Sequence, residues 1–381
     1  MSRNSDLTPF ILLYAAMYAA YGVASPFLPA YVNARGIPAE QLGLVLGAGT
    51  AMRLISVTFV GRLADFLQAL RTTLVVCVGL ASVVSLFYLP AHGFSAFFAV
   101  SLVQALTLAP MTVLADALAL GNARRAGFEY GWVRGTGSAA FIVATLVSGQ
   151  FVAATGLKAA VILQALLLVL AALAATRVPE IPHMQQAVRR AGVMVLLRIP
   201  AYRTVLAIAA LVLGSHAMHD GFAVIRWTAS GISPGTVSVL WSEAVLAEVV
   251  VFFFLGPRLI ARLSPTGALA LASIAGIARW AAMATTLDVA WLAMVQPLHG
   301  ITFALLHLSC MRLIARIAPP GLEGTAQALY GTGIGAVSAA LMMSAGALYA
   351  ELGGAAFWIM SMVCAMALPL ILRLARFSPL H

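Results

Sequence analysis

The sequence predicts an all-α integral membrane protein with twelve transmembrane helices, arranged as two pseudo-symmetric six-helix halves. Hydrophobic residues make up 62% of the 381 residues and charged residues only 9%, whereas soluble domains carry about 25% charged residues. The apolar residues fall into about twelve stretches of about 18–27 residues, each long enough to cross a hydrocarbon core of about 30 Å. The alternating pattern of a β-barrel is absent from the sequence, so the spans are expected to be helices, which satisfy their own backbone polar groups.

The spans follow one another from a short polar N-terminus, and the first continues past Tyr21, too far for a cleavable signal peptide. We place them at roughly 8–32, 40–61, 72–90, 94–119, 130–154, 159–177, 201–228, 236–256, 266–287, 290–315, 322–350 and 354–375. Alternate loops then hold sixteen arginines on one side, against Arg35 and Lys158 on the other. This asymmetry predicts that both termini are cytoplasmic, in a bacterial inner membrane. The net charge of +10 then reflects topology and contact with anionic lipid rather than nucleic-acid binding.

The longest polar interruption, 178–200, predicts a cytoplasmic linker between an N-terminal half, 1–177, and a C-terminal half, 201–381. A weak repeat supports the two halves. Gly61-Arg-Leu-Ala-Asp65 follows the second span, and Gly256-Pro-Arg-Leu-Ile-Ala-Arg262 follows the eighth. Related halves with a central site near the membrane midplane are typical of secondary transporters.

No cofactor or metal site is expected. Cys77, Cys310 and Cys364 all lie in apolar stretches without metal-ligand spacing, so we interpret them as small packing residues. The sequence also lacks a nucleophile–base or metal constellation. We therefore predict that the protein is not an enzyme, and that it is a monomer.

Eight charged residues lie inside the predicted spans: Asp116, Asp220, Glu243, Glu248, Arg53, Arg134, Arg226 and Arg279. A charge at the bilayer centre costs roughly 2.5–3.5 kcal/mol on insertion scales. A chain that retains eight of them is expected to use several in a polar cavity within the helical bundle. This anatomy indicates a transporter.

Individual residues carry different expectations. Glu243 and Glu248 are five residues apart, about 140° around a helix, so only one can face a narrow cavity, and we favour Glu248 as a proton carrier. His216 and Asp220 share a helix face at a spacing of four, which would suit a proton relay. Arg53 lies too deep to reach the interface easily, so a carboxylate partner is expected, from the protein or the substrate. Arg226 lies near the end of its span and can reach the interface.

The loop Gly61–Asp65, with Arg71 before the next span, resembles the signature loop of the major facilitator superfamily. In that family this loop is a conformational latch, so the resemblance implies gating roles for Gly61, Asp65 and Arg71 and implies the major facilitator fold. Glycine at its start is expected to allow a tight turn. Phe66-Leu67-Gln68 departs from the basic and glycine residues that the family often has there.

Glu129-Tyr-Gly-Trp-Val-Arg134-Gly135 resembles the start of the fifth helix in the lactose permease group. There the arginine contacts substrate and an acid 18 residues earlier joins it, the spacing that separates Asp116 from Arg134 here. Asp116 would pair with Arg134, compete for it, or carry a proton. Thr302 departs from the group, which has an acid three residues after the tenth-helix histidine, His299 here.

A resemblance to the bacterial 3-phenylpropionic acid transporter branch, sometimes grouped with nucleoside:proton symporters, covers nearly the whole chain. It rests on Tyr21-Gly22 with Pro26-Phe27, Pro110 with Asp116–Ala119, Leu240–Ser242 with Ala247–Val249, Arg279-Trp280, and Leu298-His299 with Thr302-Phe303, His307 and Met311-Arg312. Asp220 and Arg226 are not positions associated with that branch.

We expect a proton-coupled symporter that imports a small organic carboxylate, aromatic ones included, as the two halves rock in alternating access. The expected substrate-binding residues are Arg134, Arg53, Arg279, Tyr21, Trp241 and His299. The expected proton-coupling residues are Asp116, Glu248, His299, His216 and Asp220. Further candidates for an aromatic pocket are Tyr18, Phe27, Trp132 and Tyr330.

Three alternatives stay open at this point. The substrate could be a neutral sugar or a nucleoside. The protein could be an efflux antiporter, although Gln150 rather than proline follows Gly149 in the fifth span. A non-transporting membrane sensor or assembly partner is disfavoured, because the chain has no soluble signalling domain.

Overall fold

The computed structural model describes residues 3–180 and 190–376, and the regular elements of these residues are helices. The α-helices are α1 (Arg3–Ala34), α2 (Ala39–Leu67), α3 (Leu70–Leu86), α4 (Gly93–Ala126), α5 (Tyr130–Thr155), α6 (Lys158–Ala175), α7 (Arg190–Arg198), α8 (Pro200–Gly214), α9 (His216–Ala229), α10 (Pro234–Val250), α11 (Gly256–Thr285), α12 (Val289–Val295), α13 (Leu306–Ile317), α14 (Glu323–Leu352), α15 (Ala356–Ala365) and α16 (Ala367–Leu374). Two π-helical segments, Val251–Leu255 and Gly300–Leu305, and a short 3₁₀ turn, Gly353–Ala355, join some of them.

The described residues contain nine helical stretches long and apolar enough to cross a membrane, and one shorter apolar helix, Leu70–Leu86. Two of the nine, Pro234–Thr285 and Glu323–Leu374, are 52 residues long, so each can cross twice. Each is interrupted near its middle, at Ser264 and at Gly353–Ala355 respectively. The all-α membrane fold class is confirmed, and the lengths accommodate the twelve predicted crossings.

The chain divides into two compact units. Unit 1 comprises Met1–Gln185 and Gly231–Val239, and unit 2 comprises Gln186–Ser230 and Leu240–His381. In unit 1, α1 packs against α5 and α6, α2 against α4, and α3 against α4 and α6. In unit 2, α8 packs against α14 and α16, and α11 against α13 and α15. Of the predicted linker 178–200, residues 181–189 lie outside the described residues, and the following stretch forms α7.

Glycines allow the close approach of α1 and α5 in unit 1. A Cβ atom on Gly22 would lie 2.3 Å from the carbonyl oxygen of Phe141, and one on Gly137 would lie 2.8 Å from the Tyr18 ring. Small residues let helices approach in lipid, where packing replaces the hydrophobic effect as the driving force. The two contacts hold the tyrosine-bearing face of α1 against α5.

A glycine has the same function between the two π-helical segments of unit 2. A Cβ on Gly300 would lie 2.5 Å from the carbonyl oxygen of Ala247 and 2.9 Å from the Val251 side chain. The wide turn that begins at Gly300 therefore rests directly on the end of α10. This contact places His299 beside Glu248, one residue after Ala247. Single π-helical turns often occur at functional sites.

The predicted turn at Gly61 is wrong. Helix α2 continues through Gly61 to Leu67, and the space where a Gly61 side chain would lie is open. The turn falls instead at Gln68, which has a left-handed φ of 50°. Helical hydrogen bonding continues through Asp65, because the amide of Gln68 still donates to its carbonyl oxygen at 3.2 Å.

Candidate functional site

Functional side chains cluster separately within each unit. In unit 1, the carboxylate of Asp116 on α4 is held by two phenols. Tyr130 donates to Asp116 Oδ1 at 2.8 Å, and Tyr14 donates to the same oxygen in a short hydrogen bond. The Tyr14 and Tyr130 rings meet edge to face, with centroids 6.5 Å apart. Two neutral donors thus satisfy this oxygen, and Asp116 does not rely on an arginine for it.

Arg134, on the second turn of α5, lies over the face of the Tyr18 ring with its Cζ atom 4.5 Å from the centroid. Its Nη1 atom is buried and has no hydrogen-bond partner within residues 3–180 and 190–376. The described residues contain no Asp116–Arg134 ion pair, so a paired Asp116 and Arg134 is wrong for this structure. Asp116 is already bonded to phenols, whereas Arg134 keeps buried donor capacity.

The tyrosines of α1 form one face of this cluster. Tyr18 lies between Tyr14, stacked at 5.8 Å, and Tyr21, edge-on at 5.9 Å. Tyr21 donates to the carbonyl oxygen of Leu108 on α4 at 3.1 Å. The guanidinium of Arg53 lies within electrostatic range of Tyr21, and no protein carboxylate pairs with Arg53 in the described part of the chain. Of the two partners expected for Arg53, the protein one is therefore not found.

In unit 2, a chain of three side chains joins Arg279 to Glu248 through His299. Arg279 Nη1 donates to His299 Nδ1 at 3.0 Å, and His299 Nε2 lies 3.5 Å from Glu248 Oε2. Because arginine only donates, Nδ1 must present its lone pair, and the ring proton is on Nε2, toward the carboxylate. The histidine thereby connects a cation and an anion that do not form a direct ion pair.

Arg279 is completely buried. Its Nη2 atom donates to Gln296 Oε1 at 3.0 Å, and its Cζ atom lies 4.6 Å from the centroid of Trp280. In this structure Arg279 orients His299 and is enclosed by protein. Trp280 Nε1 in turn donates to Ser215 Oγ at 2.8 Å, which fixes the tryptophan under the guanidinium.

In the described residues His216 and Asp220 do not share a hydrogen bond, so the relay between them stays a prediction. Asp220 accepts instead from the adjacent His219, Nδ1 to Oδ1 at 3.3 Å. His216 begins α9 after a break at Ser215, so its Nδ1 turns back to the carbonyl oxygens of Val212 and Leu213 at 3.1 and 3.2 Å. Its other nitrogen, Nε2, lies 3.0 Å from Thr302 Oγ1. Both residues lie in α9 and keep the spacing of four, but each side chain bonds to a different partner.

His219 was not singled out from the sequence, yet it is central in unit 2. Its ring stacks on Trp241 with centroids 4.8 Å apart, and it is almost completely buried. Asp220 beside it has 55% of its side chain exposed. Tyr14 and Tyr130 were missed as well. The spacing of Tyr14, Tyr18 and Tyr21, at intervals of four and three residues, would have placed them on one helix face.

The remaining candidates have other surroundings. Arg226 donates to the carbonyl oxygens of Met283, in a short bond, and Ala284 at 3.3 Å, which are the last carbonyls of α11. Arg226 therefore caps a helix end. Trp132 is 70% exposed and Phe27 is completely buried in the core, so neither lines the tyrosine cluster. Tyr330 lies beside His307, with its hydroxyl 3.4 Å from the ring nitrogen.

The predicted gating residue Arg71 is held through its backbone. Its amide nitrogen lies 3.2 Å from both carboxylate oxygens of Glu180, at the start of α3. Within the described residues, no group of three or more His, Cys, Asp or Glu side chains could hold a metal ion. All three cysteines are buried and free.

Comparison with known proteins relates the whole chain to membrane transporters. A family model described as the MFS_1 like family matches residues 8–360. An Escherichia coli (strain K12) protein described as a probable 3-phenylpropionic acid transporter is 33% identical over 376 residues, 93% of this chain and 94% of that protein. The maltose permease of Geobacillus stearothermophilus is 26% identical over 341 residues, 86% of this chain and 84% of the permease.

Solved structures show the same architecture. The nucleoside transporter NupG matches with a TM-score of 0.82 at 16% identity, over 99% of this chain and 100% of that one. A bacterial homologue of the human lysosomal transporter Spinster matches with a TM-score of 0.74 at 15% identity, over 98% of this chain and 97% of that one. At such identities the likeness establishes the fold alone.

Proposed function

This chain belongs to the MFS_1-like family of the major facilitator superfamily, and on that premise we propose that it is a proton-coupled importer of small aromatic carboxylates. Membership makes it a multi-pass membrane protein of a transporter family with a small-molecule substrate. The substrate class, the coupling to protons and the direction of transport are the proposal.

The buried Nη1 atom of Arg134, which has no hydrogen-bond partner in the described residues, is the observation that carries the proposal. Arg134 Nη1 is buried without a hydrogen bond in the described residues, while Tyr14 and Tyr130 occupy Asp116. A buried polar atom without a hydrogen bond is costly, and the planar fork of arginine matches a carboxylate with two parallel hydrogen bonds. A substrate carboxylate would supply the missing partner.

The rings around Arg134 favour an aromatic substrate body. Tyr18 lies directly under the guanidinium, with Tyr14 and Tyr21 on either side of it. Aromatic rings prefer offset-stacked and edge-to-face neighbours, which contribute about 0.5–1.5 kcal/mol beyond the buried area. The relative described as a probable 3-phenylpropionic acid transporter supports the same class.

The chain Arg279–His299–Glu248 supports proton coupling. When Glu248 takes up a proton, the carboxylate end of this chain loses its negative charge, while Arg279 keeps its positive charge at the other end. One proton therefore changes the net charge of a largely buried cluster, which is a way to favour one conformation over another. We assign the coupling proton to Glu248, and alternating access to the movement of the two halves. Inner-membrane location and cytoplasmic termini belong to this proposal and rest on the distribution of the arginines. A monomeric state belongs to the proposal as well.

A neutral sugar is the second candidate, favoured by the maltose permease among the relatives. Asp116 can accept hydrogen bonds from sugar hydroxyls, and the tyrosines offer the ring faces on which sugars stack. A neutral ligand would nevertheless leave Arg134 without an anion, so the carboxylate ranks first. The relatives are transporters, which fits transport rather than catalysis.

The test compares ligands that differ only in charge. Binding of 3-phenylpropionate, its neutral amide, maltose and uridine to the purified protein would be measured by calorimetry and by thermal stabilisation. We expect 3-phenylpropionate to bind at least about 10-fold more tightly than its amide, because a hydrogen bond to a charged partner is worth about 1.5–3 kcal/mol. Arg134→Gln should remove this preference, whereas Arg125→Gln, at the end of α4, should keep it. Equal binding of acid and amide, or tighter binding of maltose, would overturn the assignment.

A further inference from the structure

The hydroxyl of Thr302 lies between two groups that compete for its single proton. Thr302 Oγ1 lies 3.0 Å from His216 Nε2 and 3.2 Å from the carbonyl oxygen of His299. Thr302 is completely buried and His216 almost so, and a hydroxyl carries one donor hydrogen. The hydroxyl can donate to the imidazole or to the carbonyl, but not to both.

The protonation state of His216 decides which of the two accepts. The Nδ1 atom of His216 faces the carbonyl oxygens of Val212 and Leu213, which only accept, so this nitrogen carries the ring proton. Nε2 is therefore the nitrogen that gains or loses a proton. Neutral His216 accepts from Thr302 at Nε2. Charged His216 donates from Nε2 to Thr302, whose hydrogen must then turn to the carbonyl oxygen of His299.

We propose that His216 and Thr302 form a proton-operated hydrogen-bond switch that acts on His299. A hydronium ion in the surrounding water transfers its proton to His216 Nε2: one O–H bond breaks, one N–H bond forms, neutral water is released and the ring charge rises by one. The Thr302 hydroxyl rotates about its Cβ–Oγ1 bond and the hydrogen bond between the two side chains reverses. The switch rests on the proposed function in one respect only: the proton on His216 would be a second coupling proton, next to the one assigned to Glu248.

His299 is where the switch acts on the rest of unit 2. Its side chain joins Arg279 to Glu248, and its carbonyl oxygen receives the turned hydroxyl of Thr302. This carbonyl immediately precedes the π-helical turn Gly300–Leu305. Reversal at Thr302 therefore changes a bond at the point where that turn begins.

The groups around His216 determine which electrostatic interactions change when it becomes charged. The titratable and charged groups that face it are His219 and Asp220 on α9, Arg279 on α11 and His299 before the π-helical turn. Its ring centroid lies 5.2 Å from that of His299 and 5.2 Å from that of Trp280. A charge on His216 repels Arg279 and attracts Asp220, so the proton loosens the link between Arg279 and His299.

Trp280 provides a readout that needs no substrate, because a charged imidazole at its edge quenches indole fluorescence. The purified full-length protein would be titrated over a pH range of about 3 to 8, which extends to acid because His216 is buried, and the Trp280→Phe spectrum subtracted. We expect a pH-dependent Trp280 signal in the unmodified protein and in Thr302→Ser. His216→Gln should abolish it. Thr302→Val should move the midpoint of the signal about 1 pH unit lower. Removal of the hydroxyl costs charged His216, which donates to it, more hydrogen-bond free energy than it costs neutral His216, which accepts from it.

His219→Gln is the matched control, because His219 is also buried near Trp280, at 6.1 Å, but bonds to Asp220 instead of Thr302. It should keep the signal. A signal that survives in His216→Gln, or an unchanged midpoint in Thr302→Val, would overturn the switch. If His216→Gln does not fold, the comparison of Thr302→Val with Thr302→Ser decides alone. If uptake did not depend on a pH gradient while the Trp280 signal was intact, the proposed proton coupling would be refuted, but the switch would not be.

Discussion

The Nε2 atom of His299 lies 3.5 Å from the carboxylate of Glu248, while the opposite ring nitrogen accepts from Arg279. The imidazole thus passes the influence of a fully buried cation to a carboxylate that is only partly buried. Glu248 is therefore the more accessible end of this chain of side chains, and Arg279 is its buried end.

Glu248→Gln is expected to uncouple transport from the proton gradient. Glutamine keeps the shape of the side chain and can still accept from His299, but it cannot gain or lose a proton. In proteoliposomes, accumulation of labelled 3-phenylpropionate under an inside-alkaline gradient should fall to the level without a gradient. Exchange of labelled for unlabelled substrate should continue. Glu243→Gln, five residues earlier on α10, is the control and should accumulate normally.

Tyr130→Phe is expected to affect both stability and binding. Asp116 would retain only Tyr14 as a donor, and a hydrogen bond to a charged acceptor contributes about 1.5–3 kcal/mol. The freed carboxylate would then compete for Arg134 and weaken carboxylate binding. Tyr202→Phe removes a hydroxyl that donates to the neutral carbonyl of Ala326 at 2.7 Å, so it should cost about 0.5–1.5 kcal/mol and leave affinity unchanged. Thermal unfolding and calorimetry measure the two effects, and equal affinities in both variants would contradict the role given to Asp116.

Gly300→Ala is expected to separate His299 from Glu248. The added Cβ would lie 2.5 Å from a backbone oxygen of Ala247, which cannot move without shifting α10, and overpacking costs typically about 1–3 kcal/mol. Proton-driven accumulation should fall together with the unfolding temperature. Gly331→Ala on α14 meets open space and should leave both unchanged. Normal accumulation in Gly300→Ala would show that the close approach is not needed.

Arg226→Ala is expected to destabilise unit 2 without changing substrate affinity. The change removes the donors to the last carbonyls of α11, Met283 and Ala284, and charged hydrogen bonds contribute about 1.5–3 kcal/mol each. Arg258→Ala is the control. Arg258 donates to the carbonyl oxygen of Phe254, one turn earlier in the sequence, in a hydrogen bond that is exposed, so this change should have a much smaller effect on stability. A loss of affinity in Arg226→Ala at unchanged stability would instead point to a substrate contact.

The fold could be predicted because hydrophobicity and arginine placement report directly on the membrane. The site could be predicted only in part. Arg134, Asp116, Arg279, His299 and Glu248 stand out as charged or titratable residues in apolar stretches, but their partners do not. Sequence spacing gives neighbours on one helix, whereas the partners of Asp116 come from α1 and α5, and the partner of His216 Nε2 comes from the π-helical segment Gly300–Leu305. Uncharged partners such as Thr302 carry no signal of their own until the helices are packed.

The left-handed residues after α2 and within α11, Gln68 and Ser264, have a practical consequence for handling the protein. They are the two non-glycine residues with positive φ in the described part of the chain, and they follow Gly61 and Gly256 by seven and eight residues. Such a conformation costs a residue with a side chain roughly 1–2 kcal/mol, whereas glycine adopts it freely. Glycine at position 68 is therefore a first choice for engineering a more heat-resistant form that survives extraction into detergent. Ser264 is better kept, because its Oγ accepts from the amide of Gly267 at 3.3 Å.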